Sequence, residues 1–117
     1  MKRPLAYVTA AWSGDEFEDT ESAVKYCRAV YEAGFSPICP LLFHPLFLNN
    51  EIPAEHKSGI DMSRNLLSRS RVLVVCGRDI DEAVKSDIAT AQRYSVTATT
   101  LEGILTIMKQ GRRRIHA

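Results

Sequence analysis

The stretch that decides the fold is Arg71-Val-Leu-Val-Val-Cys-Gly-Arg-Asp-Ile-Asp-Glu-Ala-Val-Lys-Ser-Asp-Ile-Ala-Thr-Ala-Gln-Arg-Tyr94. Val72 to Cys76 is an unbroken, mostly β-branched apolar run, the pattern of a strand buried on both faces. Gly77 ends it, and Asp79 offers an N-cap for a helix starting near Ile80. At 100° per residue, Ile80, Ala83, Val84, Ile88 and Ala91 form one apolar stripe. Asp87 falls inside that stripe. A carboxylate turned toward a sheet is costly to desolvate, so this one implies a hydrogen-bonding partner or a chemical task.

The rest of the chain repeats this strand-helix alternation. Leu5 to Ala11 reads as a first strand, and Trp12-Ser13-Gly14-Asp15 breaks it with turn chemistry. Asp19 or Thr20 can cap a helix with Ala23, Val24, Cys27, Val30 and Tyr31 inward, stopped by Gly34 as a left-handed C′ residue. Phe35 to Cys39 is a short second strand. Pro40 to Pro53 carries three prolines, which exclude a regular helix, and is too apolar for a water-facing linker. It is expected to cover a ligand, a sheet edge or another subunit. Pro53 opens a helix through His56, Ile60, Leu66 and Leu67 to Ser70. Beyond the central stretch, Tyr94 to Ala98 reads as an edge strand. Thr99-x-x-Glu102 is a capping box for a last helix, with Leu101, Ile104, Leu105 and Met108 at helical spacing and Gly111 at its end.

These elements predict an α/β, three-layer, flavodoxin-like (Rossmann-like) parallel sheet of about four strands in order 2-1-3-4. The domain spans residues 1–111, with a basic tail over 112–117. In that order the switch point lies between strands 1 and 3, and ligands bind outside the carboxyl ends there. Three segments converge on it: Trp12 to Asp15, the loop after Pro40, and Gly77 to Asp79 with the helix that carries Asp87.

A chain of 117 residues with 45% hydrophobic and 25% charged residues is one ordinary globular domain. A net charge of +1 gives no general attraction to nucleic acid or membrane. No apolar run approaches the ~18 residues of a membrane span, and the basic N-terminus leads straight into a strand rather than a signal peptide. Cys27, Cys39 and Cys76 are odd in number and set in apolar surroundings, as expected of free thiols in a reducing, cytoplasmic compartment. His44, His56 and His116 lack ligand spacing, so no metal is expected; no G-x-G-x-x-G or Walker sequence is present, so no cofactor is expected.

The order of motifs resembles the nucleoside 2-deoxyribosyltransferase-like superfamily, especially its small bacterial and phage relatives. The matching pieces are Tyr7-Val-Thr-Ala-Ala-Trp-Ser-Gly-Asp, Ala33-Gly-Phe-Ser-Pro-Ile-Cys-Pro, and Phe47-Leu-Asn-Asn with Pro53, Gly59-Ile60 and Leu66-Leu67. Val74-Val-Cys-Gly77 followed by Ser86-Asp-Ile-Ala-x-Ala91 completes them. The resemblance implies attack of a helix carboxylate on the anomeric carbon of a nucleoside or nucleotide, with a proton donor near the leaving base. By position the catalytic group would be Asp87. The superfamily uses glutamate there, and the one-methylene difference changes the reach of the acid. The implied partner is a small nucleoside or nucleotide held by a homodimer or larger homo-oligomer.

On the residues alone, each candidate has a plain alternative. Asp87 is either catalytic or a structural carboxylate paired with an arginine such as Arg64. Ser13, Gly14 and Asp15 either bind sugar hydroxyls or a phosphate, or form a turn into the helix. Tyr7 and Trp12 belong to the core or to the wall of the site. Gly77 and Asp79 lie beside it, Asp79 first as a cap, and Asp81 and Glu82 complement the helix dipole. His44, between Phe43 and Phe47, either meets a base or sits at the rim of a packing or subunit contact. Arg112, Arg113 and Arg114 either touch nucleic acid or phosphate or are a favourable, solvated C-terminus. The same scaffold also fits a nucleotide-like ligand-binding module without turnover, or an assembly protein.

Overall fold

The computed structural model describes residues 3–107. Strands β1 (Leu5–Ala10), β2 (Ser36–Ile38), β3 (Val72–Cys76) and β4 (Thr97–Thr100) form one sheet in order 2-1-3-4. All three pairings are parallel, with Tyr7 opposite Ile38 and Leu73, and Leu73 opposite Ala98. Helices α1 (Glu16–Glu32), α2 (Pro40–Phe43), α3 (Pro53–Ser68) and α4 (Glu82–Arg93) connect them, and residues 101–107 begin a last helix. The architecture is α/β and flavodoxin-like.

The two-residue period of the strands divides the core into two layers. Ala6 and Val8 of β1, with Val72, Val74 and Cys76 of β3, pack against Ala23 and Val30 of α1 and Ile104 of the last helix. Tyr7 and Leu73 point the other way, onto Leu67 of α3 and Ile88 and Ala91 of α4. Leu67, Leu73, Val8, Val30, Val74 and Val84 are fully buried, each contributing roughly 1.5–3 kcal/mol. β3 is enclosed on both faces, as its apolar run requires. Gly34, at φ +100°, follows the C-cap of α1 in the left-handed region that a Cβ disfavours.

Several boundaries differ from the sequence expectation, each for a local reason. Asp81, not Asp79, caps α4: its Oδ1 accepts from Val84 N at 2.9 Å. Ile80 therefore precedes the helix and is exposed, Ala83 in its first turn is exposed too, and Val84, Ile88 and Ala91 carry the inner face. Asp15, rather than Asp19 or Thr20, caps α1 by accepting from Glu18 N at 3.2 Å. Val24 and Tyr31 are exposed, and the half-buried Tyr26 packs on the sheet with Ala23 and Val30. The segment after β2 is helical despite its prolines. Pro40 sits at the start of α2 and Pro45 at the start of a 3-10 turn over His44–Leu46, positions that need no donated N–H. His56 and Ile60 of α3 are exposed. Tyr94 is the C-cap of α4 and β4 starts at Thr97, so the last strand lies later than expected. Thr100, not Thr99, caps the last helix, its Oγ1 accepting from Gly103 N at 3.0 Å. Met108, Gly111 and the basic tail lie outside the described residues.

Asp81 also bridges two segments, its Oδ2 accepting from Trp12 N at 3.1 Å. Asp81→Ala loses both the cap and this tie and is expected to destabilise by about 1–2 kcal/mol in urea unfolding. Asp79→Ala, at an exposed position with no cap to lose, is expected to stay within about 0.5 kcal/mol of the parent.

Candidate functional site

The carboxyl ends of β1 and β3 carry two distinct groups of side chains, one on each face of the sheet. On the α3–α4 face, Tyr7 and Thr9 leave β1 on the same side, two residues apart. Asp87, in the second turn of α4, reaches Thr9: Thr9 Oγ1 donates to Asp87 Oδ2 at 2.7 Å. Thr9 is 3% exposed and Asp87 half-buried. Among the described residues the ion pairs within 4.0 Å are Arg28–Glu32 and Lys85–Glu82, so Asp87 is not locked to Arg64.

Burial raises the pKa of Asp87, the nearby Asp81 charge adds to this, and Thr9 donation with the field of Arg64 works against it. The balance lies above the ordinary carboxylate value. Tyr7 is 4% exposed, and burial followed by the charge of Asp87 holds its phenol well above its usual range. Ser63 of α3 also acts on that phenol, and lowers its pKa. One helical turn earlier on α3, Gly59 faces the His44 ring, since a Cβ built there would lie 3.7 Å from Nδ1. His44 thus sits over the same α3 face that carries Ser63. Its ring is edge-on to Phe43 and Phe47, at 4.9 and 5.8 Å between centroids, and burial lowers its pKa.

On the α1 face the strand ends open into a cleft of about 110 Å³. Trp12, Gly77 and Asp79 line it, with Asp19, Ser22, Tyr26 and Arg78 among the polar groups. Gly77 is at φ +80°, and a Cβ there would lie 3.2 Å from the Tyr26 hydroxyl. Only glycine meets both conditions without strain. Tyr7, Thr9 and Asp87 do not line this cleft.

The structure therefore separates residues that the sequence grouped together. Tyr7 and Asp87 come together on one face, while His44 stands over Gly59 of α3, one turn before Ser63. Trp12, Gly77 and Asp79 belong to the opposite face. Ser13 and Gly14 are exposed, but both backbone N–H groups and the Ser13 hydroxyl donate to Asp19, at 2.7–3.1 Å. Asp15 caps α1 and is exposed.

Sequence reasoning missed Thr9, Asp19, Tyr26 and Ser63. The alternation of β1 was a usable signal for Thr9, because it lies two residues beyond Tyr7. Nothing local marks Asp19 as the acceptor of a loop six residues back. The described residues contain no group of three metal-ligating side chains and no helix long and apolar enough to cross a membrane. Cys27, Cys39 and Cys76 are free thiols.

The raised pKa of Asp87 has a stability consequence. Its ionised form is disfavoured in the fold, so stability is lost as pH rises from the unfolded value near 3.8 through the higher folded one. Asp87→Asn keeps an acceptor for Thr9 and is expected to be more stable than the parent at pH 7. That advantage fades below the ordinary carboxylate range, as urea unfolding across pH would read.

A family model described as a domain of unknown function (DUF7768) matches residues 4–101. A comparison with curated proteins gives no match. The chain belongs to the DUF7768 family.

Proposed function

Taking that membership as the starting point, we propose that the protein acts on the N-glycosidic bond of a nucleoside or nucleotide, as a hydrolase or deoxyribosyltransferase. Asp87 is the nucleophile or acid. The observation that carries this reading is the Asp87 carboxylate itself: half-buried, held by Thr9 at 2.7 Å, outside any ion pair among the described residues and of raised pKa. A carboxyl group so placed serves a reaction that develops positive charge on a sugar and requires a proton at the departing base. Tyr7 lies within the field of its charge, and His44 stands over Gly59, one turn of α3 before Ser63. Self-association fits the same proposal, since Leu46 and Phe47 of the apolar segment are 83% and 60% exposed. A cytoplasmic, homo-oligomeric enzyme of nucleotide metabolism is the resulting picture.

Base release from a panel of nucleosides and their 5′-monophosphates, followed by chromatography, tests it. Asp87→Ala is expected to lower the rate by roughly 10²–10⁴-fold, while Asp87→Glu retains or raises it. Thr9→Val removes the donor that lowers the acid's pKa, so the limb of the pH–rate profile governed by Asp87 moves to higher pH. Release by Asp87→Ala at the parent rate would overturn the assignment.

A second reading follows from one observation: the cleft opens on the face opposite Asp87. On that reading the protein binds a nucleotide-like ligand without turnover. Ligands of the same panel would then raise the melting temperature and yield no product. Gly77→Ala would weaken that effect and Asp87→Asn would not.

A further inference from the structure

Three thiols from three separate elements meet in the core layer between the sheet and α1. Cys39 and Cys76 are buried in that layer, and Cys27 of α1 packs against it. Cys39 stands at the junction of β2 and α2, and α1 packs on both of those elements. That packing brings the Cys27 and Cys39 side chains into hydrogen-bonding contact. The three thiols are not equivalent. Cys27 is half-buried, whereas Cys39 is 5% exposed and Cys76 1%. Cys76 Sγ donates to the carbonyl of Val74 in its own strand, at 3.9 Å.

We infer that Cys27 and Cys39 form a redox-active pair, in which a hydroperoxide oxidises Cys27 and Cys39 resolves the product to a disulfide. The Cys39 thiol donates to Cys27 and holds it below the ordinary thiol value, against the opposing effect of burial. The same contact, together with burial and the charge of Cys27, pushes Cys39 well above that value, so Cys39 keeps the proton. Burial, with the Cys27 charge adding to it, pushes Cys76 up to about 12 and leaves it a poor nucleophile. In the first step the Cys27 thiolate attacks a peroxide oxygen and the O–O bond breaks. The leaving oxygen takes a proton, and the sulfur is oxidised to a sulfenic acid. In the second step the Cys39 sulfur attacks that of Cys27, the S–O bond breaks, and hydroxide departs with the Cys39 proton as water. Two thiols and one hydrogen peroxide thus give one disulfide and two waters. The bond draws the sulfurs from contact to about 2.05 Å, and it ties α1 to the root of the apolar segment after β2. Transient, redox-sensing disulfides of this kind occur in reducing compartments. Asp87 takes no part in this chemistry, which stands apart from the glycosidic reading.

The test treats the reduced full chain with a slight molar excess of hydrogen peroxide, blocks remaining thiols with N-ethylmaleimide, and maps the peptides by mass spectrometry. The expected product is a monomer lighter by two hydrogens before blocking, with the Cys27 and Cys39 peptides linked and Cys76 carrying the blocking group. Dithiothreitol restores the parent mass. Before oxidation, iodoacetamide is expected to alkylate Cys27 on the order of tenfold faster than Cys76 at neutral pH. Two variants, checked for folding by circular dichroism, separate the roles. Cys39→Ser should stop at the Cys27 sulfenic acid, trapped as its dimedone adduct, and Cys76→Ser should still form the bond. The parent measurement needs no variant and decides the matter by itself. Cys27 and Cys39 left reduced, Cys27 oxidised to the sulfinic acid without a linked peptide, a link to Cys76, or a link between two chains would each overturn the inference.

Discussion

The parallel pairing of β1 with β3 at the centre of the sheet is the constraint from which the rest follows. It aligns Thr9 with Val75 and Ala10 with Cys76, so both chains leave the sheet at one level and their following loops meet. Because successive side chains on a strand face opposite ways, that meeting has two sides. Val8 and Ala10 look toward α1 and bound the cleft, while Tyr7 and Thr9 look toward α3 and α4 and meet Asp87. A one-residue slip in the pairing would exchange these sets and place Ala10 where the acid needs a hydroxyl. Packing on both faces guards against that slip, since Val8 and Leu73 have no exposed alternative.

Three carboxylates at this end illustrate how environment divides one chemical group into several roles. Asp81 accepts from two backbone N–H groups, one in its own helix and one at Trp12, and so sets the entry of α4 relative to the β1 exit. Asp19 accepts from a whole turn and is held in its charged form. Asp87 has one hydroxyl donor and substantial burial, and the neighbouring Asp81 charge discourages its ionisation further. The differences arise from donor count and desolvation, since the side chain is the same in each case. Of the three, Asp87 is the one whose hydrogen bond comes from a side-chain hydroxyl alone, while the other two accept from backbone N–H groups.

The segment between β2 and α3 adds a third physical theme. Its prolines occupy helix starts, so a run that appears hostile to helices becomes a short helix, a 3-10 turn and the first turn of α3. Pro40 and Cys39 are buried at its root, whereas Leu46 and Phe47 project outward. His44 lies between the two environments, with aromatic rings edge-on to either side.

The layered α/β fold, its strand order and the inward set of Asp87 were legible in the sequence, because they rest on local patterns. A β-branched run bounded by glycine reads as a buried strand. Helical spacing marks Ile80, Ala83, Val84, Ile88 and Ala91 as a stripe with Asp87 inside it, of which Val84, Ile88 and Ala91 turn inward and Ile80 and Ala83 are exposed. Gly34 declares its own backbone conformation. Helix caps were less legible, since Asp79 and Asp81, or Asp15 and Asp19, are equivalent in type and only the path of the backbone chooses between them. The division of the site was not legible at all. Whether Trp12 and Tyr7 share a face depends on where β1 ends. Which donors Asp19 satisfies depends on how the turn folds back over six residues. Thr9 meets Asp87 across 78 positions of sequence. Such contacts arise from chain closure in three dimensions, so tertiary structure alone decided which donors each acid meets.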